Sequence, residues 1–174
     1  IQAYAQEAND EILSYYDYYL GLYFIGETDL SMPNSAATRF HVDSDEGFNL
    51  TNVQLLLNYN SSEKAPVVFE VYVGENIEEA KLTYVQEITD FVSGWGSFAL
   101  NEQIFFEKGS YFWLVTHIPA GNLYPLGAGV ETKQEYSNNC YMSLIFGKSW
   151  ARFEDLYYNN MLVWAIEPMS FYKT

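Results

Sequence analysis

The sequence predicts an all-β fold, a single antiparallel jelly-roll-type β-sandwich of roughly ten strands with little helix. Short runs with period-two patterning recur from end to end, and 16 Tyr, 12 Phe and 4 Trp occur among 174 residues. Aromatic rings suit half-buried pleated surfaces, where they pack against cross-strand neighbours. Turn signals separate the runs at regular spacing, which favours a sandwich over alternating helices and strands.

In the first half of the chain, the strand candidates are Ile12–Tyr19, Leu22–Ile25, Ala36–Val42, the alternating run Val53, Leu55, Leu57 and Tyr59, and Val67–Val73. In the last of these, Phe69 and Val71 share one face, and Glu70 and Tyr72 share the other. A polar turn closed by a proline separates the last two runs. We therefore expect them to be neighbouring antiparallel strands.

In the second half, the candidates are Leu82–Ile88, Ser97–Phe106, Tyr111–Val115, Leu126–Val130, Cys140–Phe146 and Met161–Ile166. Tyr111–Val115 and Met161–Ile166 are apolar on both faces, which predicts doubly covered strands with Trp113 and Trp164 in the core. Pro168 is expected to end the last ladder. Helix is predicted only as single turns, at Ala3–Glu11 and Glu75–Lys81.

The length and composition indicate one domain over residues 1–174, and we expect a mature form or a domain excised from a larger protein. Cys140 is the only cysteine, so no internal disulfide can form. It lies in an apolar run without a nearby cation, which predicts a buried and unreactive thiol.

The net charge of −15 indicates that the chain does not bind anionic partners. It repels a phosphate backbone and an anionic membrane surface, so we expect no nucleic acid and no membrane insertion. No stretch approaches the roughly 20 apolar residues that a membrane helix needs.

The sharpest enzymatic candidate is the set His41, Asp43 and His117. On a strand, residues i and i+2 share a face, so His41 and Asp43 could offer an imidazole and a carboxylate to one metal. With His117 they match the facial triad of non-haem iron oxygenases on a jelly roll, the alternative to a non-catalytic module. Two facing carboxylates for glycoside hydrolysis cannot be located among 23 acids.

Two kinds of binding site are also predicted. Asp43, Asp45 and Glu46 cluster beside a glycine and are a candidate calcium site; no other cofactor is expected. Trp95, Trp150, Tyr157 and Tyr158 have turn-like contexts and are candidates for stacking on sugars, although for Trp95 and Trp150 packing under a loop is favoured over ligand binding.

A resemblance spans nearly the whole chain, through the segments Ser14–Asp17, Ala36–Phe40, Leu50–Leu55, Phe69–Gly74, Gly94–Trp95, Phe98–Leu100, Gly109–Val115, Tyr124–Gly127, Ser149–Trp150 and Asn160–Ile166. In this order they resemble the jelly-roll accessory modules that follow protease domains in secreted bacterial proteins, similar to gingipain adhesin domains.

The resemblance implies a non-catalytic module that binds a carbohydrate or a protein surface, mediates adhesion or stabilises a neighbouring domain of the same polypeptide. It also implies an extracellular, periplasmic or cell-surface location.

Overall fold

The computed structural model describes residues 11–59, 65–89, 91, 93–131, 136–156 and 162–171. Within these ranges the chain forms two antiparallel β-sheets with a shared hydrophobic core, so the predicted β-sandwich is confirmed. No helix in the same ranges has the length and apolar character needed to cross a bilayer.

One sheet has seven strands among the described residues: β1 (Glu11–Ile12), β2 (Tyr16–Ile25), β4 (Phe48–Leu57), β7 (Gly94–Phe106), β9 (Leu126–Glu131), β12 (Leu162–Trp164) and β13 (Ile166–Ser170). Its strand order is β1-β13-β4-β9-β12, with β7 paired to β4 and β2 paired to β9. A bulge between Asp17 and Leu22 lies inside β2, so the two strands predicted there form one.

The other sheet has six strands in the described part of the chain: β3 (Asn34–His41), β5 (Val67–Val73), β6 (Lys81–Ile88), β8 (Tyr111–Ile118), β10 (Cys140–Ser143) and β11 (Ala151–Arg152). Its order is β11-β10-β3-β8-β5-β6, which makes β8 the central, doubly covered strand that the sequence predicts. Helical structure is limited there to a 3₁₀ turn, Tyr136–Asn139, and one helix, α1 (Phe153–Leu156).

The main core lies between the sheets and is built from the alternate side chains of each strand. Phe112 of β8 stacks on Phe106 of β7 at a centroid distance of 4.2 Å and on Phe40 of β3 at 5.5 Å. Trp113 and Trp164 are 1% and 2% exposed, so their assignment to buried positions is confirmed.

A second, smaller core lies on the outer face of the six-stranded sheet. Ala37, Trp113 and Val115 project from β3 and β8, and Ile77 covers them from the segment 74–80. The sequence predicts a helical turn over Glu75–Lys81, but this segment is a non-helical turn and Lys81 begins β6. The segment 74–80 therefore covers part of the outer face of this sheet.

The predicted pairing of the two runs ending at Tyr59 and Val73 is wrong. β4 belongs to the seven-stranded sheet and β5 to the six-stranded sheet, so the connection between them passes from one sheet to the other. Both runs alternate correctly, with Val53 and Phe69 fully buried. Periodicity identifies a buried face but does not identify the neighbouring strand.

The strand ends also differ from prediction. Pro168 does not stop the last ladder, because it pairs with Val53 inside β13 and its carbonyl accepts a hydrogen bond from Leu13 N at 3.1 Å. Proline lacks only the donor, so a position that needs the acceptor tolerates it. The predicted strand Cys140–Phe146 ends at Ser143, and Ala3–Glu11 lies outside the described residues except for Glu11, in β1.

Candidate functional site

The structure does not assemble the facial triad of His41, Asp43 and His117. His41 pairs with Tyr111 and His117 with Ser35, so the histidines lie six residues apart along the β3–β8 ladder, at about 3.3 Å per residue. His41 Nδ1 instead lies 2.6 Å from the Asp43 carboxylate at the exposed strand end. One metal ion cannot contact ligands separated by about 20 Å, so these three side chains do not form a facial triad in this structure.

His117 has a different set of neighbours on the outer face of the six-stranded sheet. Its Nδ1 lies 2.7 Å from Ser35 Oγ, and its Nε2 contacts the carboxylate of Glu70. Tyr72 donates a hydrogen bond to the second oxygen of Glu70 at 2.7 Å. Burial raises the pKa of Glu70, but the hydrogen bonds from His117 and Tyr72 outweigh it and lower the pKa below its usual value.

The carboxylates of Asp43, Asp45 and Glu46 do not lie around one point. Asp43 contacts His41, and Asp45 forms an ion pair with Lys108. Glu46 donates its backbone N–H to Ser44 Oγ at 3.3 Å. In the described ranges, no group of three histidine, cysteine or acidic side chains is placed to hold a metal ion. Calcium binding by Asp43, Asp45 and Glu46 stays a prediction.

Two of the four aromatic candidates, Trp95 and Trp150, lie among the described residues. Trp150 is partly buried against the second core, and its ring lies 2.9 Å from the position that a Cβ of Gly147 would occupy. Tyr157 and Tyr158 lie outside the described residues. Trp95 does not lie in a turn: it belongs to β7, pairs with Leu56 and stacks on Tyr16 at a centroid distance of 6.0 Å.

Trp95 lines a groove between two sheet edges. β6 is the last strand of the six-stranded sheet, and β7 pairs only with β4 in the seven-stranded sheet. The groove, here called the edge groove, has a volume of about 440 Å³ and is lined by residues 86–89, Phe91 and 95–98. This volume lies within the range of about 300–1,000 Å³ usual for small-ligand sites.

Aromatic packing holds the walls of the edge groove in place. Phe98 packs edge-on against the buried Phe69 at 5.1 Å. The ring of Phe91 lies over Gly96, so closely that a Cβ on Gly96 would come within 2.7 Å of it. The glycine therefore makes room for an aromatic ring at the groove wall.

Hydrogen bonds join the two sheet edges beside the groove. Gln86 Nε2 donates to the carbonyl of Ala99 at 3.2 Å, and Asn101 N donates to the hydroxyl of Tyr84 at 2.8 Å. These contacts connect β6 to β7 where no strand pairing exists. They fix the width of the groove, so a ligand would meet a site that is already formed.

The chemistry of the edge groove suits a neutral ligand. Its apolar wall is formed by Ile88, Phe91, Trp95 and Phe98, while Glu87, Thr89 and Ser97 provide exposed polar side chains. Among the described residues that line it there is no lysine, arginine or histidine, and the chain carries a net charge of −15. Rings that stack on apolar C–H faces, next to hydroxyl and carboxylate groups, are suited to binding sugars.

The two glycines beside Trp95 single it out in the sequence, but the sequence pattern does not identify Phe91, Phe98 or the β6 residues as parts of the same site. Which strands lie at sheet edges follows only from the full strand order. The sequence does contain one indication of the aromatic cluster: an aromatic residue lies four positions before Trp95 and another lies three positions after it.

Cys140 is fully buried in the main core, as the sequence predicts. Burial raises the pKa of its thiol to about 12. A thiol is nucleophilic only as the thiolate, so this cysteine does not form a reactive site in the folded protein.

No family model and no curated protein matches the chain. Among solved structures it is similar to the clostridial cysteine protease Cwp84 after propeptide cleavage, with a TM-score of 0.53 and 14% identity over 86% of this chain and 39% of that one. It is also similar to the cysteine protease and lectin-like domains of Cwp84, a surface layer associated protein of Clostridium difficile, with a TM-score of 0.51 and 14% identity over 79% of this chain and 32% of that one.

The chain thus spans about a third to two fifths of the length of these two structures. At 14% identity the likeness shows the fold alone.

Proposed function

We propose that this chain is a non-catalytic carbohydrate-binding module that acts outside the cytoplasm, and that the edge groove binds a stretch of neutral polysaccharide. The observation that carries the proposal is the groove itself, with Phe91, Trp95 and Phe98 along an opening of about 440 Å³. Pyranose rings present C–H faces to aromatic side chains, and exposed Glu87, Thr89 and Ser97 can bond their hydroxyls.

The shape of the site favours a chain over a single small molecule. The groove runs between β6 and β7, and residues of both strands line it. An extended ligand can lie along such a surface and contact several side chains in succession. The negative charge of the protein disfavours polyanionic glycans, so neutral polymers fit best.

The compartment and the setting of the module belong to the same proposal. One structural neighbour contains lectin-like domains beside a cysteine protease domain in a surface layer associated protein. By this analogy the chain works on a cell surface or in a secreted protein, next to a domain of the same polypeptide. The analogy rests on the fold, and the groove residues carry the binding role.

A glycan array tests the binding role. We expect the unmodified chain to bind one class of neutral polysaccharide, and Phe91→Ala to weaken that binding about tenfold because a stacking ring is lost. Phe105→Ala is the matched control, since Phe105 is a 59% exposed aromatic residue of β7 that does not line the groove. No binding to any glycan, or equal loss in both variants, would overturn the proposal.

A second candidate function is contact with a neighbouring domain, favoured by apolar loops at one end of the sandwich. The loops that precede β3 and follow β8 and β10 meet there, since Asn34 pairs with Ile118 and Ser35 with Ser143. They expose the side chains of Leu30, Leu123, Tyr124, Ile145 and Phe146. Exposed apolar patches of this kind are typical of protein contact surfaces.

Hydrogen exchange tests this second function. We expect the amides of Ile145 and Phe146 to exchange more slowly when the module is part of its parent polypeptide than when it is alone. Equal exchange rates in the two forms would contradict a docked loop.

A further inference from the structure

A second depression lies on the outer face of the six-stranded sheet, away from the edge groove. It is lined by Arg39, Gly74, Glu75, Asn76, Glu79 and Tyr141, has a volume of about 550 Å³, and is here called the Arg39 pocket. None of its described lining residues also lines the edge groove. Tyr141, one of its lining residues, packs against the second core, which contains Trp113.

The guanidinium of Arg39 is held in one position. It lies 4.8 Å from the ring centroid of Tyr111 and 5.9 Å from that of Trp113. Its Nε donates to Asn139 Oδ1 at 3.0 Å, and its Nη1 donates to the carbonyl of Glu75 at 3.0 Å. Its Nη2 has no hydrogen-bond partner in the described part of the chain. The guanidinium of Arg39 is thus held in place beside the pocket, and the N–H groups of its Nη2 are free to donate to a ligand.

The segment 74–80 that forms the opposite wall is also held. Trp113 Nε1 donates to the carbonyl of Gly74 at 2.9 Å, and Gly74 N donates to the carbonyl of Tyr111 at 3.0 Å. Ile77 is 6% exposed and packs into the second core. Asn76 Oδ1 accepts a hydrogen bond from the backbone of Glu78 at 3.1 Å, which closes the turn. Because both walls are fixed, a ligand would lose little affinity to ordering them.

The pocket offers both donors and acceptors that the protein leaves unused. Tyr141 packs its ring edge-on against Trp113 at 5.3 Å, and its hydroxyl has no partner among the described residues. The carboxylates of Glu75 and Glu79 likewise have no partner there, and both residues are exposed. One aromatic ring, one guanidinium edge and two carboxylates therefore line the same opening.

We propose that the Arg39 pocket binds a compact, neutral, hydroxyl-rich ligand, a single pyranose or the terminal sugar of a glycan. Sugar hydroxyls both donate and accept, so one ring can bond the carboxylate of Glu79, the Tyr141 hydroxyl and Arg39 Nη2 together. A free anion would meet two carboxylates, and a cation would meet the guanidinium. The proposal goes beyond the edge groove and does not depend on it.

Nuclear magnetic resonance titration of the full chain tests the proposal. The probes are the methyl pyranosides of glucose, galactose, mannose and N-acetylglucosamine, at up to about 20 mM because lone sugars bind weakly. We expect one of them to shift the side-chain amide of Asn76, the Nε–H of Arg39 and the indole N–H of Trp113.

Variants assign the effect to the pocket. Glu79→Gln and Tyr141→Phe keep the size of the side chain and remove a charged acceptor or a hydroxyl, so each should weaken binding about tenfold. Glu78→Gln is the matched control, because Glu78 is an exposed neighbour that does not line the pocket. Unchanged affinity in both pocket variants would overturn the proposal.

The titration also separates this site from the edge groove. Shifts confined to Ile88 and Ser97 would overturn the pocket proposal and leave the proposed function standing. Shifts confined to the residues of the Arg39 pocket would support the pocket proposal and overturn the proposed function. Shifts of the pocket resonances with sodium phosphate or acetate, and with no sugar, would show an anion site and would also overturn the proposal.

Discussion

The carboxylate of Glu70 and the imidazole of His117 form a hydrogen-bonded pair on the outer face of the six-stranded sheet, with 13% and 7% of their side chains exposed. They lie on neighbouring strands in diagonal register, since His117 pairs with Val68 and Glu70 pairs with Val115. A buried carboxylate is costly unless it is paired, so this contact determines how the fold tolerates the charge of Glu70.

Glu70 should make the fold sensitive to acid. Its pKa in the folded protein is lower than the usual 4.5, so it stabilises the fold above pH 4.5 and this contribution is lost as the pH falls through the lower, folded value. In Glu70→Gln we expect a lower free energy of unfolding at pH 7, by about 1–3 kcal/mol, and a shallower decline in acid. Urea unfolding at several pH values measures both.

Glu102→Gln is the control for that series, because Glu102 is exposed and has no partner among the described residues. If both variants lose stability in acid as steeply as the unmodified chain, the hydrogen bonds to Glu70 do not lower its pKa.

The two histidines should differ sharply in their contribution to stability. His117→Leu removes the imidazole from the buried Glu70 carboxylate, which keeps the hydrogen bond from Tyr72, and this should cost about 3–5 kcal/mol. His41→Ala removes an exposed contact with Asp43 and should change the free energy of unfolding by less than about 0.5 kcal/mol. Chemical denaturation of the two variants compares them directly, and similar losses would contradict the positions assigned to these side chains.

Cys140 should be unreactive in the folded protein. Its thiol is fully buried and its pKa is about 12, so almost no thiolate is present at pH 8. We expect a thiol-specific reagent to label the chain in guanidinium chloride and to leave it unlabelled in native buffer. Rapid labelling in native buffer would mean that the core around Cys140 opens readily.

Gly96→Ala should impair the edge groove with little change elsewhere. The new Cβ would come within 2.7 Å of the Phe91 ring, so the ring must move from the groove wall. We expect glycan binding to fall about tenfold, with a cost in stability of about 1–3 kcal/mol from overpacking. Glu102→Ala changes an exposed side chain of β7 that does not line the groove and serves as the control. Normal glycan binding by Gly96→Ala would show that Phe91 does not contact the ligand.

Much of the fold follows from local pattern, because alternation in a strand records which face is buried. Phe69 and Val71 are fully buried, as their spacing predicts. The pattern does not show to which sheet a strand belongs. For this reason the predicted pairing of β4 with β5 is wrong. That information lies in contacts between residues far apart in the chain.

The candidate sites show the same limit. Trp95 could be singled out from its flanking glycines, but the opposite wall of the groove comes from β6, at the edge of the other sheet. Strand register places His117 next to Ser35 and Glu70, which lie 82 and 47 positions away in the sequence. No short motif encodes such pairs, so only the assembled sheet shows them.

The most direct test of the central claim is to locate a bound glycan on the protein. In a titration of the chain with an oligosaccharide selected on the array, amide chemical shifts report the contacted residues. We predict the largest changes at residues 86–89 and 95–98, the two sides of the edge groove. Changes confined to other surfaces, or no change with any array-selected ligand, would contradict the account.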